Sequence, residues 1–146
     1  MADLKPLIRY RKFALEEQQR FLARLYQEVE RLMQRKDSML GQVKREKNLT
    51  GEETDPQMIV AFLGYVERMQ AQIALIDGEI RRVEARIEVA IDEMRDAFAE
   101  LKKVEITNQR RLAERKAMLQ KKEDALFAEI AEQNYLRRLR EEREEE

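Results

Sequence analysis

The sequence predicts an all-α fold: a long two-helix antiparallel coiled coil, an α-helical hairpin, with an overhanging C-terminal helix. Three observations predict it. The 146 residues include only four Gly and two Pro, too few to turn a sandwich, a barrel or a multi-stranded sheet. The composition is heavy in Ala, Glu, Lys, Leu, Arg and Gln, the balance of long helices. Apolar residues recur with a period of 3.5 over seven heptads, the signature of a left-handed coiled-coil seam. The whole chain, 1–146, reads as a single coiled-coil unit.

The first helix is expected over about 4–47. With Ile8 at position a, the a positions are Ile8, Leu15, Leu22, Val29, Lys36 and Val43, and the d positions are Leu4, Arg11, Gln18, Leu25, Leu32 and Met39. Nine of these twelve are apolar. The polar layers Arg11, Gln18 and Lys36 weaken the seam but help fix its register. Residues 48–55 follow as a loop, within the only stretch dense in turn residues. Gly51 is placed to end the helix or turn the loop. Asp55 before Pro56 reads as N-cap then first helical residue, with Thr54 and Gln57 as a competing capping box.

The second helix is expected over about 56–140 and carries the stronger seam. Its a positions are Ile59, Val66, Ile73, Ile80, Ile87, Met94 and Leu101; its d positions are Phe62, Met69, Ile76, Val83, Ala90, Ala97 and Val104. All fourteen are apolar, which a preset frame would reach by chance roughly once in 10⁵. A loop this short makes antiparallel neighbours. With its centre near residue 50 or 51, residue i faces about residue 101 minus i, shifted by three or four if a pairs with d. The first helix then runs out near residues 97–104 of the second, where the seam also stops. Beyond Val104 the frame reads Asn108, Arg111, Arg115, Met118, Lys122, Ala125, Glu129 and Glu132, of which two are apolar. Residues 105–140 hold no Gly or Pro and should extend as a helix of roughly 50 Å. The acidic tail 141–146 is expected to fray.

The net charge of −1 hides a segregated pattern. Residues 1–47 carry net +5, 48–108 net −6, 109–122 net +5 and 123–146 net −5. Glu84, Glu88, Asp92, Asp96 and Glu100 recur every fourth residue, and antiparallel pairing brings them beside Lys5, Arg9, Arg11 and Lys12. Such pairs specify orientation more than stability.

Little chemistry is available. There is no Cys and no His, so no disulfide, thiolate metal site, thiol nucleophile or imidazole base. Phosphate loops, nucleophile elbows and metal-ligand spacings are absent from the sequence. An enzyme and a cofactor are not expected. The basic segment 109–122 lacks interleaved aromatics and precedes an acidic tail, which argues against nucleic acid. The longest apolar run, 58–66, is far short of the roughly 20 residues that span a bilayer. No signal-peptide core follows Met1, so a cytoplasmic location is expected.

The residues that suggest binding are apolar ones off the seam. Tyr10 at c and Phe13 at f point away from the partner helix, where an aromatic gains nothing within a two-helix hairpin. Leu63 at e and Tyr65 at g flank the seam at the loop end, where they also serve to widen the core.

The segment 4–18, LKPLIRYRKFALEEQ, resembles the basic-then-acidic start of bacterial FliJ proteins. The short first helix, the central loop, the aromatic-aliphatic opening of the second helix (Phe62, Val66, Met69, Ile73) and the charged C-terminal helix are also similar to that family. FliJ proteins are coiled-coil components of the flagellar type III export apparatus, related to the YscO-type stalks of injectisomes. The resemblance implies a non-enzymatic stalk, like the gamma subunit of rotary ATPases, inserted in the hexameric export ATPase ring and coupling it to the export gate FlhA, with a chaperone-escort role. The implied ATPase-binding residues are Arg9, Tyr10, Lys12, Phe13, Arg110, Arg111 and Arg115. The implied gate-binding residues are Phe62, Leu63, Tyr65 and Val66. The implied partners are the flagellar export ATPase, the FlhA cytoplasmic domain and export chaperones, with the chain cytoplasmic and peripheral to the inner membrane through the gate. The alternatives are a structural or self-associating coiled-coil rod, pairing through Leu112, Leu119 and Leu126, and a three-helix bundle broken at 104–108.

Overall fold

Two helices account for the chain in the computed structural model, which describes residues 3–52 and 54–146. Met1, Ala2 and Glu53, the last in the expected loop, lie outside the described residues. Helix α1 spans Lys5–Thr50 and helix α2 spans Pro56–Glu145. No strand occurs among the described residues. The two helices contact each other, so the all-α expectation holds.

Each helix end follows from local chemistry. At the start of α1, the Lys5 N–H donates to Asp3 Oδ1 at 3.0 Å and the Ile8 N–H to the Leu4 carbonyl at 2.9 Å. Pro6, in the first turn, has no N–H to leave orphaned. At the end of α1, Thr50 Oγ1 donates to the Glu46 carbonyl at 2.7 Å, so the helix runs three residues past the expected end. Gly51 follows, but no glycine among the described residues has a positive φ. Its role is close approach: a Cβ there would sit 3.3 Å from the Lys47 carbonyl oxygen. At the start of α2, Asp55 is the N-cap. Its Oδ1 accepts from the Gln57 N–H at 3.0 Å and its carbonyl accepts from the Ile59 N–H at 3.1 Å. Asp55→Ala should therefore lower stability by about 1 kcal/mol, whereas Thr54→Ala should change it by no more than a few tenths; thermal melts followed by circular dichroism separate the two.

Contacts divide the chain into two compact units, Arg9–Leu101 and Met1–Ile8 with Lys102–Glu146, where the sequence reading treats 1–146 as one. In the first unit the core is the seam itself. Leu25 and Leu32 from α1 cluster with Ile76, Ile80, Val83, Ile87 and Ala90 from α2, and Phe21, Leu22, Val29, Met39 and Ile91 pack against them. All seven buried residues of α2 lie on the a/d frame. Of its fourteen frame positions only Ile59, one turn from the helix start, is exposed. All twelve frame positions of α1 are buried or half-buried.

Two polar layers of α1 meet acidic partners. Lys36 Nζ lies 2.7 Å from Asp77, and Arg11 lies 3.9 Å from Glu100. The residue numbers of these pairs add to 113 and 111, not the 97–105 expected from a loop centred on Gly51. Part of the difference is local: the helix continues through Thr50 and the next begins at Pro56, which moves the middle of the connection about two residues onward. The third polar layer is incomplete, since Gln18 Oε1 is buried without a hydrogen-bond partner, as is Arg11 Nε.

In the second unit, Leu4 and Leu7 share a cleft with Lys103, Val104, Thr107 and Arg111. Contact thus continues past Val104, and only from Leu112 onward is every residue exposed. The helix does not break at 104–108, so the three-helix bundle is not formed. Thr107 Oγ1 donates to the Lys103 carbonyl at 2.8 Å, which satisfies the hydroxyl within the helix. The helix also carries through to Glu145, where fraying of 141–146 is expected. Arg137, Arg138 and Arg140 stand four residues before Glu141, Glu142 and Glu144, a spacing that offsets like-charge repulsion.

By length and composition alone, α2 holds a stretch apolar enough to cross a membrane, contrary to the reading from unbroken runs. Residues 59–76 carry only Glu67 and Arg68 as charges, because seam residues are interleaved with Ala and Gln. Within that stretch Met69 and Ile76 are buried against the core.

Candidate functional site

Three surfaces gather the residues singled out in the sequence. The first lies on α1 within Arg9–Leu101. Arg9, Tyr10, Lys12 and Phe13 are all exposed, the two aromatics by 60% and 57%. At helical spacing Arg9, Tyr10 and Phe13 share a broad face, with Lys12 at its edge. The Arg11 guanidinium sits 5.7 Å from the Tyr10 ring centroid, so the ring is flanked by cationic charge while remaining open to solvent. More than half of each aromatic side chain is left open to water.

The second surface is a cleft of about 300 Å³ in the other unit, lined by Asp3, Leu4, Lys5, Asn108, Arg111, Leu112 and Arg115. The first turn of α1 and two successive turns of α2 build it. Of the expected basic residues, Arg111 and Arg115 line this cleft and converge with Lys5; Arg110 is exposed but does not line it. Arg111 is half-buried and also lines the adjoining cleft with Leu4 and Leu7. Three cations against one Asp give the lining of this cleft a net positive charge.

The third surface is at the loop end. Phe62 and Tyr65 line one cleft of about 320 Å³ with Glu46, Thr50, Met58 and Ala61. Phe62, Tyr65 and Val66 are half-buried, whereas Leu63 is 61% exposed. Of the four expected gate residues, Leu63 alone presents most of its side chain. Leu49, Met58 and Val60 extend the exposed apolar surface beside it.

A fourth feature was not anticipated. Phe21, Ala85, Arg86, Val89, Ala90 and Glu93 line a cleft of about 400 Å³, and the guanidinium groups of Arg24 and Arg86 each lie 6.0 Å from the Phe21 ring centroid. The signal for it was the one that marked Tyr10 and Phe13: Phe21 and Val89 are apolar at g and c, off the seam.

Among the described residues, no group of three or more His, Cys, Asp or Glu is placed to hold a metal ion. What the arrangement offers is binding: aromatic faces ringed by Arg, a cationic cleft and an apolar tip. Comparison with protein-family models, curated proteins and solved structures returns no match to the chain.

Proposed function

We propose that α1 and α2 pair as an antiparallel coiled coil and that the chain is a non-enzymatic stalk of a bacterial flagellar type III export apparatus. Two observations support the pairing. Going from Arg11 to Lys36 along α1, the acidic partner moves back from Glu100 to Asp77 along α2. A turn of a few residues also cannot return the chain to the start of a 46-residue helix, about 69 Å away, as a parallel arrangement requires.

The observation that carries the function is the exposed aromatic pair Tyr10 and Phe13 on the basic face of α1, in a segment that resembles the start of FliJ proteins. A rod that served only as a spacer has no use for aromatics turned to water. In this reading Arg9, Tyr10, Lys12 and Phe13, with Arg110, Arg111 and Arg115, contact the export ATPase. Leu63 leads the contact with the cytoplasmic domain of the gate protein FlhA, supported by Phe62, Tyr65 and Val66. The chain acts in the cytoplasm, peripheral to the inner membrane, in protein export, motility and chaperone escort.

The test is direct. Purified wild-type chain should co-elute with the export ATPase of the same organism, and the Tyr10→Ala, Phe13→Ala double variant should bind at least tenfold more weakly, since buried aromatic anchors carry about 2 kcal/mol or more each at interfaces. Undiminished binding by the double variant removes this face from the contact.

A further inference from the structure

We propose that, in the chain not engaged by an ATPase, residues 109–133 of α2 pair with the same residues of a second copy, in antiparallel orientation. The observation is a stripe with nothing covering it. Leu112, Leu119, Leu126 and Ile130 are 52%, 55%, 56% and 44% exposed, and their spacing of seven, seven and four places them along one side of the helix. Isolated helical segments in water are held only marginally by propensity, so a partner for this stripe also supplies what keeps the segment helical.

Charge selects the partner and its direction. Residues 109–122 carry net +5 and residues 123–146 carry net −5. A second copy laid parallel sets each block against its own sign. Laid antiparallel and crossing near residue 121, each basic block lies along the start of the other copy's acidic block, and one two-fold axis produces both contacts. In that register Leu112 meets the second copy's Ile130, and the same contact recurs on the other side of the axis. Leu119 and Leu126 fill the layers between, opposite Glu123 and Lys116, whose stems cover them while their charges reach solvent. An unrelated acidic or basic protein would match one block and be repelled by the other; a copy of this segment matches both.

The full-length chain tests this. Sedimentation equilibrium should give a concentration-dependent dimer, and the Leu119→Lys, Leu126→Lys double variant should be monomeric with unchanged helicity. A wild-type chain that stays monomeric up to about 100 μM, or a double variant that still dimerises, overturns the proposal. Orientation is read separately, because the chain has no cysteine of its own. On oxidation, Leu112→Cys mixed with Ile130→Cys should give the mixed disulfide. A disulfide formed by Leu112→Cys alone would mean parallel pairing and overturn the charge argument.

Discussion

Ile80→Asp is expected to unfold most of the Arg9–Leu101 unit. Ile80 is 7% exposed at the middle of the apolar cluster, flanked by Ile76 and Val83 one turn either way and by Ile87 two turns on. The substitution removes two side-chain carbons and places a carboxylate within the apolar cluster. Loss of the aliphatic side chain and burial of an unpaired polar group together cost about 4 kcal/mol or more. In a domain of this size that lowers the melting temperature by roughly 20 °C. Leu75→Asp is the matched control. Leu75 is 67% exposed, off the frame and only five residues away, so its replacement should change stability by about 0.5 kcal/mol or less. Equal losses in the two variants, measured by urea denaturation, would mean that the assigned seam is not the buried face.

The second large effect concerns the basic cleft. Replacing Arg110, Arg111 and Arg115 together by Glu should abolish stimulation of the export ATPase while the helices remain. The change turns the net charge of 109–122 from +5 to −1, so an acidic partner surface meets repulsion in place of attraction. Arg110 and Arg115 are exposed and Arg111 is half-buried, so the cost to folding is small beside the effect on binding. Stimulation should fall at least tenfold, and in the wild type it should weaken as salt is raised, since contacts at an exposed cleft are screened beyond a Debye length of about 8 Å at physiological ionic strength. Intact stimulation by the triple variant would exclude this segment from the contact.

Much of the fold was legible because the apolar face of each helix is written in the sequence at one-residue resolution. Every buried residue of α2, and all twelve frame positions of α1, fell where period 3.5 places them. The Asp55–Pro56 start was legible for a similar reason: a cap is a local hydrogen bond, and Asp55 forms it. Register was not legible. It depends on where the chain turns, and Gly51 was read as the centre of the turn when it is the first residue beyond a helix that Thr50 helps to hold. A shift of a few residues at the turn moves every cross-helix pair, and it accounts for part of the displacement seen at Lys36 with Asp77 and Arg11 with Glu100.

The candidate surfaces were legible in part. Exposure of Tyr10 and Phe13 follows from their heptad positions; Leu63, at a position flanking the seam, is also mostly in solvent. The convergence of Lys5 with Arg111 and Arg115 was not visible, because it requires the register. Nor was the Phe21 cleft, which needs α1 and α2 side by side before Arg24 and Arg86 can both stand near one ring. The incomplete layer at Gln18 belongs to the same class: the residue type was evident, its lack of a hydrogen-bond partner was not.

The central claim is the proposal that this chain acts on an ATPase as its stalk. The most direct measurement is the rate of ATP hydrolysis by the organism's purified, hexameric export ATPase as the intact chain is titrated in. The account predicts that the rate rises and saturates near one chain per hexamer. A rate that stays flat at every ratio, with the chain failing to co-elute with the hexamer, would contradict it.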